Sequence, residues 1–188
     1  MKRLAIGVAI GVLVLAGCGD GDDDSSSQSA ETQWADNICK AADNVTSSLS
    51  GLTDEVKFDA NSSESAVEQT QAEMTKRVDK VRQSVSDLSS AVTDVPDDTS
   101  DAISSAKDDL TTDAQKLSTS VDSAGDAMQK AANAGDAQEF AAATTAASSA
   151  LVSAKDALKS LTDALGGYAD STDEAVRQAF NDAPACQE

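Results

Sequence analysis

The chain contains 188 residues, with 14 Lys and Arg against 33 Asp and Glu and no histidine, so its formal net charge at pH 7 is −19. Without histidine the chain cannot carry a Ser-His-Asp or Cys-His catalytic site or an imidazole ligand for zinc. A surface this acidic repels nucleic acid. We therefore expect a protein that is not an enzyme and has no catalytic residues, cofactor, metal site or nucleic-acid partner.

The first 18 residues have the layout of a bacterial export signal. Lys2 and Arg3 precede an apolar run over residues 4–15, and the tetrapeptide Leu-Ala-Gly-Cys ends at Cys18. The apolar run is too short to span a bilayer as a helix. This segment resembles the leader of bacterial lipoproteins, whose lipobox has the pattern Leu-Ala-Gly-Cys.

The resemblance to lipoproteins implies a processing route and a location. Residues 1–17 would be removed as a signal peptide, and Cys18 would become the lipidated amino terminus. Two or three acyl chains hold a protein stably on a membrane, whereas one chain does not. The partner implied is thus the cell membrane, which would hold the protein at its extracytoplasmic face in the cell envelope.

Residues 18–30 are predicted to form the lipidated cysteine and a flexible acidic tether. The segment after Cys18 consists of Gly, Asp, Ser and Gln with one terminal Ala, which is too polar to bury a core. Three alternate aspartates and Glu31 also have the spacing of a calcium-binding loop, but Ser25 stands where that loop needs glycine. We favour the tether.

Residues 31–188 are predicted to form one helical domain. Apolar residues recur at alternating spacings of three and four along four segments, which is typical of helices packed as in a coiled coil. The four series are Trp34, Ile38, Ala41, Val45, Leu49, Leu52; Val67, Gln71, Met74, Val78, Val81, Val85, Leu88, Val92, Val95; Ile103, Lys107, Leu110, Ala114, Leu117, Val121, Ala124, Met128, Ala131; and Ala137, Phe140, Thr144, Ala147, Leu151, Ala154, Leu158, Leu161, Leu165.

Local signals place the ends of these helices. Capping boxes are indicated where Ser or Asp precedes Glu by three residues, and glycines indicate where helices stop. The capping boxes are Ser65 with Glu68, Asp136 with Glu139 and Ser171 with Glu174, and the stop signals are Gly135 and Gly166-Gly167. The predicted helices are 31–52, 66–94, 97–133, 137–165 and 172–182.

Short connections between the second, third and fourth helices require these neighbours to run antiparallel. We therefore predict an all-α fold, an up-down antiparallel four-helix bundle with coiled-coil-like packing and a short C-terminal fifth helix. Its length would be roughly 45 Å at about 1.5 Å rise per residue. Trp34, which begins the first series, is predicted to pack in the core.

Cys39 and Cys186 are the cysteines that remain once Cys18 is lipidated. An even pair in an exported chain predicts a disulfide. In an up-down bundle the first helix starts at the end where the fourth helix finishes, so the fifth helix could carry Cys186 back to Cys39. The alternative is two free thiols or pairing between molecules.

The layout as a whole is similar to that of the small secreted lipoproteins of actinobacteria. The shared features are the lipobox, the acidic tether, an Ala-, Ser-, Thr- and Asp-rich helical body, and the two cysteine flanks, Trp34 to Cys39 and Ala175 to Cys186. This resemblance implies a compartment and no reaction.

Two functional hypotheses follow. The first is a lipid-anchored, non-enzymatic spacer or interaction module that meets another protein of the envelope and binds no small molecule. The alternative is a carrier that holds a small apolar ligand or lipid between its helices. Ala-lined seams favour the first, because small side chains bring the helices together and close the space that a ligand would occupy.

Overall fold

The computed structural model describes residues 28–53 and 64–187, and helices account for most of both ranges. The elements are α1 Ala30–Thr53, α2 Glu64–Thr93, α3 Asp101–Ala132, α4 Ala137–Ala169, α5 Glu174–Asn181 and a 3₁₀ turn at Pro184–Cys186. Neither range contains a strand, so the all-α prediction is confirmed. The predicted signal peptide and tether, apart from the last tether residues, lie outside the described residues.

Contacts between α1 and α2 establish that they are antiparallel. The indole Nε1 of Trp34 donates to the carbonyl oxygen of Val92 at 3.2 Å, so the start of α1 lies beside the end of α2. Further along, the buried hydroxyls of Ser48 and Ser84 are 2.9 Å apart. Because these polar groups satisfy each other, they interrupt the apolar interface without leaving a hydrogen-bonding group unpaired.

The next interface, between α2 and α3, is held by a close approach and by ion pairs. Arg82 on α2 lies across Gly125 on α3 and reaches Asp122 at 3.0 Å and Asp126 at 3.2 Å. A Cβ added at Gly125 would lie 2.7 Å from Arg82 Nη2 and 2.8 Å from Val78 Cγ1. Glycine is therefore required here for the two helices to come this close.

The α3–α4 interface is the most extensive in the bundle, and the α1–α4 side is the least packed. The short helix α5 contacts α1, α3 and α4, and the 3₁₀ turn contacts α1. The C-terminal segment thus closes one end of the bundle across its weakest side. This arrangement agrees with the predicted antiparallel bundle and short fifth helix.

The core consists mainly of Ala, Val and Leu from the predicted series. On α1 all six predicted residues are buried, with Trp34 2% exposed. Fully enclosed side chains elsewhere in the bundle include Val81, Val85, Leu88, Val92, Ile103, Leu110, Leu117 and Leu161. Lys107, the interruption in the third series, keeps its side chain 32% exposed and places Nζ 3.7 Å from Asp108.

Most helix ends lie within two residues of the prediction, and two differ by four residues. α4 continues through Gly166 and Gly167 to Ala169, and neither glycine has a left-handed conformation, so the predicted stop there is wrong. The cause is the packing of Leu165 and Tyr168, on either side of the glycines, against the core. α3 begins at Asp101 rather than residue 97, because the Ser100 hydroxyl accepts the N–H of Ile103 at 3.3 Å and caps the helix.

The predicted capping box at the start of α4 is confirmed. Asp136 Oδ1 accepts the N–H groups of Gln138 and Glu139, both at 2.8 Å, and Glu139 Oε2 accepts the N–H of Gly135 at 3.0 Å. At α5 the cap is Asp173 rather than the predicted Ser171. α2 begins one residue before Ser65, which therefore lies inside the helix.

The predicted core series is wrong at the start of α4. Phe140 is 44% exposed, and Thr144 is exposed as well. The residues that face α3 in this half of the helix are small, with Ala143 and Ala147 buried. Almost every residue here is Ala, Ser or Thr, so the buried and exposed faces of α4 differ little in hydrophobicity. A spacing of three and four residues between small residues can therefore be found on the buried face and on the exposed face alike.

Substitution of Gly125 tests the close approach of α2 and α3. Gly125→Ala should lower the free energy of unfolding by about 1–2 kcal/mol, because the stiff Val78 side chain cannot yield to the new methyl group without repacking the core. Gly166→Ala is the matched control. No atom lies within 4 Å of a Cβ built there, so that change should stabilise the helix by up to about 1 kcal/mol. Urea denaturation measures both, and equal stabilisation by the two changes would contradict the close approach.

Candidate functional site

The predicted site residues Cys39 and Cys186 form a disulfide across 147 residues of sequence. Their Cα atoms are 5.2 Å apart, a normal separation for a disulfide. Cys39 lies more than two turns into α1, and Cys186 ends the 3₁₀ turn after α5. We call this end of the bundle, formed by the start of α1, α5 and the 3₁₀ turn, the stapled end.

A carboxylate holds the chain end beside the disulfide. Asp36 Oδ1 accepts the backbone N–H of Ala185 at 2.9 Å, and its other oxygen accepts from Lys40 Nζ at 2.5 Å. The Asp36 side chain is only 9% exposed. Cys186 Sγ lies 3.5 Å from the carbonyl oxygen of Ala35, which is a packing contact because a disulfide sulfur has no proton to donate. The C-terminal turn is thus fixed to the first turns of α1 by one covalent and one hydrogen bond.

The environment of Asp36 favours its charged form. The hydrogen bond from Lys40 lowers the pKa of this carboxyl below its usual value, burial opposes that shift, and the Ala185 N–H adds to the lowering. A carboxyl whose pKa is lowered on folding stabilises the folded state above its unfolded pKa, and this contribution is lost as pH falls through the folded pKa. We call the hydrogen bond from the Ala185 N–H to Asp36 the Asp36 clamp. It is therefore stable at neutral pH and weakens in strong acid.

Three aromatic rings fill the interior of the stapled end. Phe180, 1% exposed, lies edge-on to Trp34 with ring centres 5.9 Å apart and faces Tyr168 at 5.1 Å. Such pairs each contribute about 0.5–1.5 kcal/mol beyond the area they bury. The rings join α1, α4 and α5, so the short fifth helix is held by packing as well as by the disulfide.

Tyr168 also borders an open surface groove of about 630 Å³ between α3 and the end of α4. Its hydroxyl donates to the Ala106 carbonyl oxygen at 3.3 Å. Burial, with further contributions from Asp109 and Asp113, raises the pKa of Tyr168 to about 12. The phenol therefore stays protonated at physiological pH and acts as a structural donor. The groove beside it is open to solvent, and both apolar surface and the charged side chains of Asp109, Asp113 and Lys116 line it.

The centre of the bundle has no room for a ligand at the level of Leu52, Val78, Gly125 and Leu151. The cavity among these side chains has a volume of about 0 Å³ for a water-sized molecule. A second groove of about 300 Å³, along α2 and α3, includes Arg82, Asp122 and three serines in its lining. The spaces in this part of the bundle are therefore either closed or polar.

Of the three cysteines singled out from the sequence, the structure brings together Cys39 and Cys186, and Cys18 lies outside the described residues. The sequence analysis missed Asp36, Tyr168 and Phe180. Asp36 sits three residues before Cys39, inside the cysteine flank, but nothing in the sequence marks it as the acceptor for a distant backbone N–H. Phe180 could have been recognised as a core candidate, because it is one of only three phenylalanines in the chain.

Over residues 28–53 and 64–187 the structure contains no group of three or more Cys, Asp or Glu residues placed to hold a metal ion. No helix in these ranges is both long enough and apolar enough to cross a bilayer. A comparison of the sequence with protein-family models finds no match, and comparisons with curated proteins and with solved structures also find none.

Removal of the disulfide tests its contribution to stability. Reduction, or the double variant Cys39→Ser with Cys186→Ser, should lower the free energy of unfolding by about 2–5 kcal/mol, because the bridge restricts the unfolded chain over a long loop. Circular dichroism should record a lower thermal midpoint with helicity retained at 25 °C. Dithiothreitol should leave the melt of the double variant unchanged. An unchanged melt of the reduced wild-type protein would contradict this role.

Acid titration tests the Asp36 clamp. Trp34 is the only tryptophan and lies at the stapled end, so its fluorescence reports the local structure. Because the pKa of Asp36 is lowered, its protonation should occur only below about pH 4, the ordinary range of aspartate, and should then weaken the Ala185 contact and change that fluorescence. Asp36→Asn should lack this step, because an amide does not titrate there. A titration identical in both proteins would contradict the assignment.

Proposed function

We propose that this chain is a lipid-anchored extracytoplasmic protein that acts as a non-enzymatic spacer or interaction module in the cell envelope. The observation that carries the proposal is the disulfide between Cys39 and Cys186. Disulfides persist in exported proteins and are rare in a reducing cytosol. The bridge thus supports the export that the leader predicts, and it leaves Cys18 as the one cysteine available for acylation.

The position of the stapled end supports a role in holding the bundle near the membrane. The described chain begins at Gln28, two residues before α1, and 9 residues separate it from Cys18. Such a connection extends at most about 35 Å. The anchor would therefore hold the stapled end within that distance of the bilayer.

The long helices would carry the opposite end of the bundle well away from the anchor. α3 and α4 contain 32 and 33 residues, so each extends about 50 Å. The turn between them, at residues 133–136, forms the tip. A module of this shape presents its distal surface to other envelope components, while the disulfide and aromatic packing keep the anchored end intact.

The absence of space between the helices at the level of Gly125 favours the spacer or interaction role over the carrier role. A drug-sized or lipid-sized ligand needs a cavity of a few hundred cubic ångströms with an apolar lining. The cavity among the core residues at the level of Gly125 is about 0 Å³. The open groove near Arg82 is larger, but its lining is mostly polar. The groove near Tyr168 is larger still and more apolar, but it is a shallow groove on the surface and not a space between the helices of the core.

Expression of the full chain in a bacterium that processes lipoproteins tests the anchor. The expected product begins at Cys18, carries the added mass of the acyl groups by intact mass spectrometry, and fractionates with membranes. Cys18→Ala should abolish both the acyl mass and the cleavage. The matched control, Cys39→Ala with Cys186→Ala, should be processed and acylated like the wild type.

Two outcomes would contradict the proposal. One is a membrane-free product that retains Met1, and the other is an unlipidated protein inside the cell with free thiols at Cys39 and Cys186. Protease added to intact cells, or to cells whose outer layers have been removed, provides a second measurement. A helical domain outside the cytoplasm should be digested under those conditions, and a domain in the cytosol should be protected.

A further inference from the structure

We infer that the bridge between Cys39 and Cys186 forms after the bundle has folded, by thiol–disulfide exchange in which Cys186 reacts with an external disulfide and Cys39 closes the bond. Two thiols must give up two electrons and two protons to become a disulfide. A disulfide donor in the compartment that receives the chain must therefore act on it. The inference rests on the export that the proposed function includes, and it does not require the lipid anchor.

Contacts other than the disulfide already hold Cys186 in place. Phe180 on α5 is 1% exposed and Ala183 after it is 0% exposed, so the segment that leads to Cys186 is packed into the stapled end. The Ala185 N–H then donates to Asp36 at 2.9 Å. None of these contacts needs the S–S bond, so the folded, reduced chain presents the two thiols as neighbours. Groups held together in this way react as if at high concentration.

The two cysteines differ in how far a donor can reach them. Cys39 is 6% exposed and lies on α1 beside the buried Ala35 and Ala42. Cys186 is half-buried and is followed by the exposed Gln187. A disulfide donor must touch the sulfur to react with it, and a buried thiol is therefore inert. Exchange with the donor thus begins at Cys186.

The reaction consists of two exchange steps. The Cys186 thiolate attacks one sulfur of the donor, which forms a mixed disulfide and expels the other donor sulfur as a thiolate. Cys39 then loses its proton, and its thiolate attacks Cys186 Sγ, which forms the bridge and expels the remaining donor sulfur. The donor takes up two electrons and the two protons that the cysteines release. Because the second step is intramolecular, the mixed disulfide is short-lived.

Variants with a single thiol measure the two reactivities. In residues 18–188 with Cys18→Ala, the further change Cys39→Ser leaves Cys186 as the free thiol, and Cys186→Ser leaves Cys39. The probe is dithiodipyridine, a neutral disulfide that the acidic surface does not repel and that releases a coloured thiopyridone on exchange. In native buffer Cys186 should react at least about tenfold faster than Cys39, because a buried thiol reacts only when the structure opens locally. In urea the two rates should be equal.

The rate of the second step tests whether the fold holds the two thiols together. With both thiols present, the reduced chain should release two thiopyridones, and mass spectrometry should find little mixed disulfide. Phe180→Ala should slow the second release at least about fivefold, because α5 loses its packing and the thiols separate more often. Phe140→Ala is the matched control, since Phe140 is 44% exposed at the other end of α4, and it should leave the rate unchanged. Asp36→Ala removes the Asp36 clamp without emptying the core and should also slow the step.

Three outcomes would overturn the inference. They are equal rates at the two thiols or a faster reaction of Cys39 in native buffer, loss of helicity in the reduced single-thiol variants by circular dichroism, and equal second-step rates in Phe180→Ala, Asp36→Ala and Phe140→Ala. These experiments use no lipid, so their results do not depend on whether cells acylate Cys18. Failure of native acylation would be detected in the mass of the product from cells and would overturn the anchor instead.

Discussion

The close packing of small aliphatic side chains is the constraint on which the rest of this structure depends. Ala, Val and Leu line the four long helices, and they stabilise the fold only if the helices approach one another closely, because dispersion and burial are lost where a gap remains. Gly125 is the clearest sign of this requirement, since even a methyl group there would collide with Val78. A core this slender leaves little apolar area per residue to offset chain entropy.

The stapled end compensates for that slender core. The α1–α4 side of the bundle is the least packed, and α5 lies across it. Phe180, which is 1% exposed, packs at this point between Trp34 and Tyr168. An isolated helix of 8 residues is not stable in water. The disulfide and the Asp36 clamp therefore help to hold α5 and the C-terminal turn against α1.

Much of the fold could be predicted from the sequence because its signals are local and repeated. The alternation of three and four is strong on α1 and α2, where Val, Leu and Ile contrast with Asp, Ser and Lys, and the core is as predicted along α1 and along α2 from Val78 to Val92. The pairing of Cys39 with Cys186 was predicted from the even pair of cysteines in an exported chain, and the bundle topology was compatible with it. At the start of α4 the alternation failed, because Ala, Ser and Thr occupy every face and differ little in hydrophobicity. The glycine stop signal also failed, since packing of the residues around Gly166 and Gly167 outweighs their backbone preference.

Contacts between distant residues could not be predicted, because they depend on how the helices meet in three dimensions. Asp36 accepts a hydrogen bond from Ala185, 149 positions away, and no periodic pattern encodes such a pair. Phe140 illustrates the opposite case. Its place in the apolar series predicts burial, and the structure leaves it 44% exposed.

The bridge between Cys39 and Cys186 also determines how the molecule would respond to cleavage. It joins α1, which lies before residues 54–63, to the end of the chain. A single proteolytic cut anywhere within 54–63 would therefore leave both fragments covalently linked, and the piece bearing the amino terminus would still retain the remaining helices. Such a nicked molecule would migrate as one species without reductant and as two with it, so a cut in this connection would go undetected unless the disulfide is reduced.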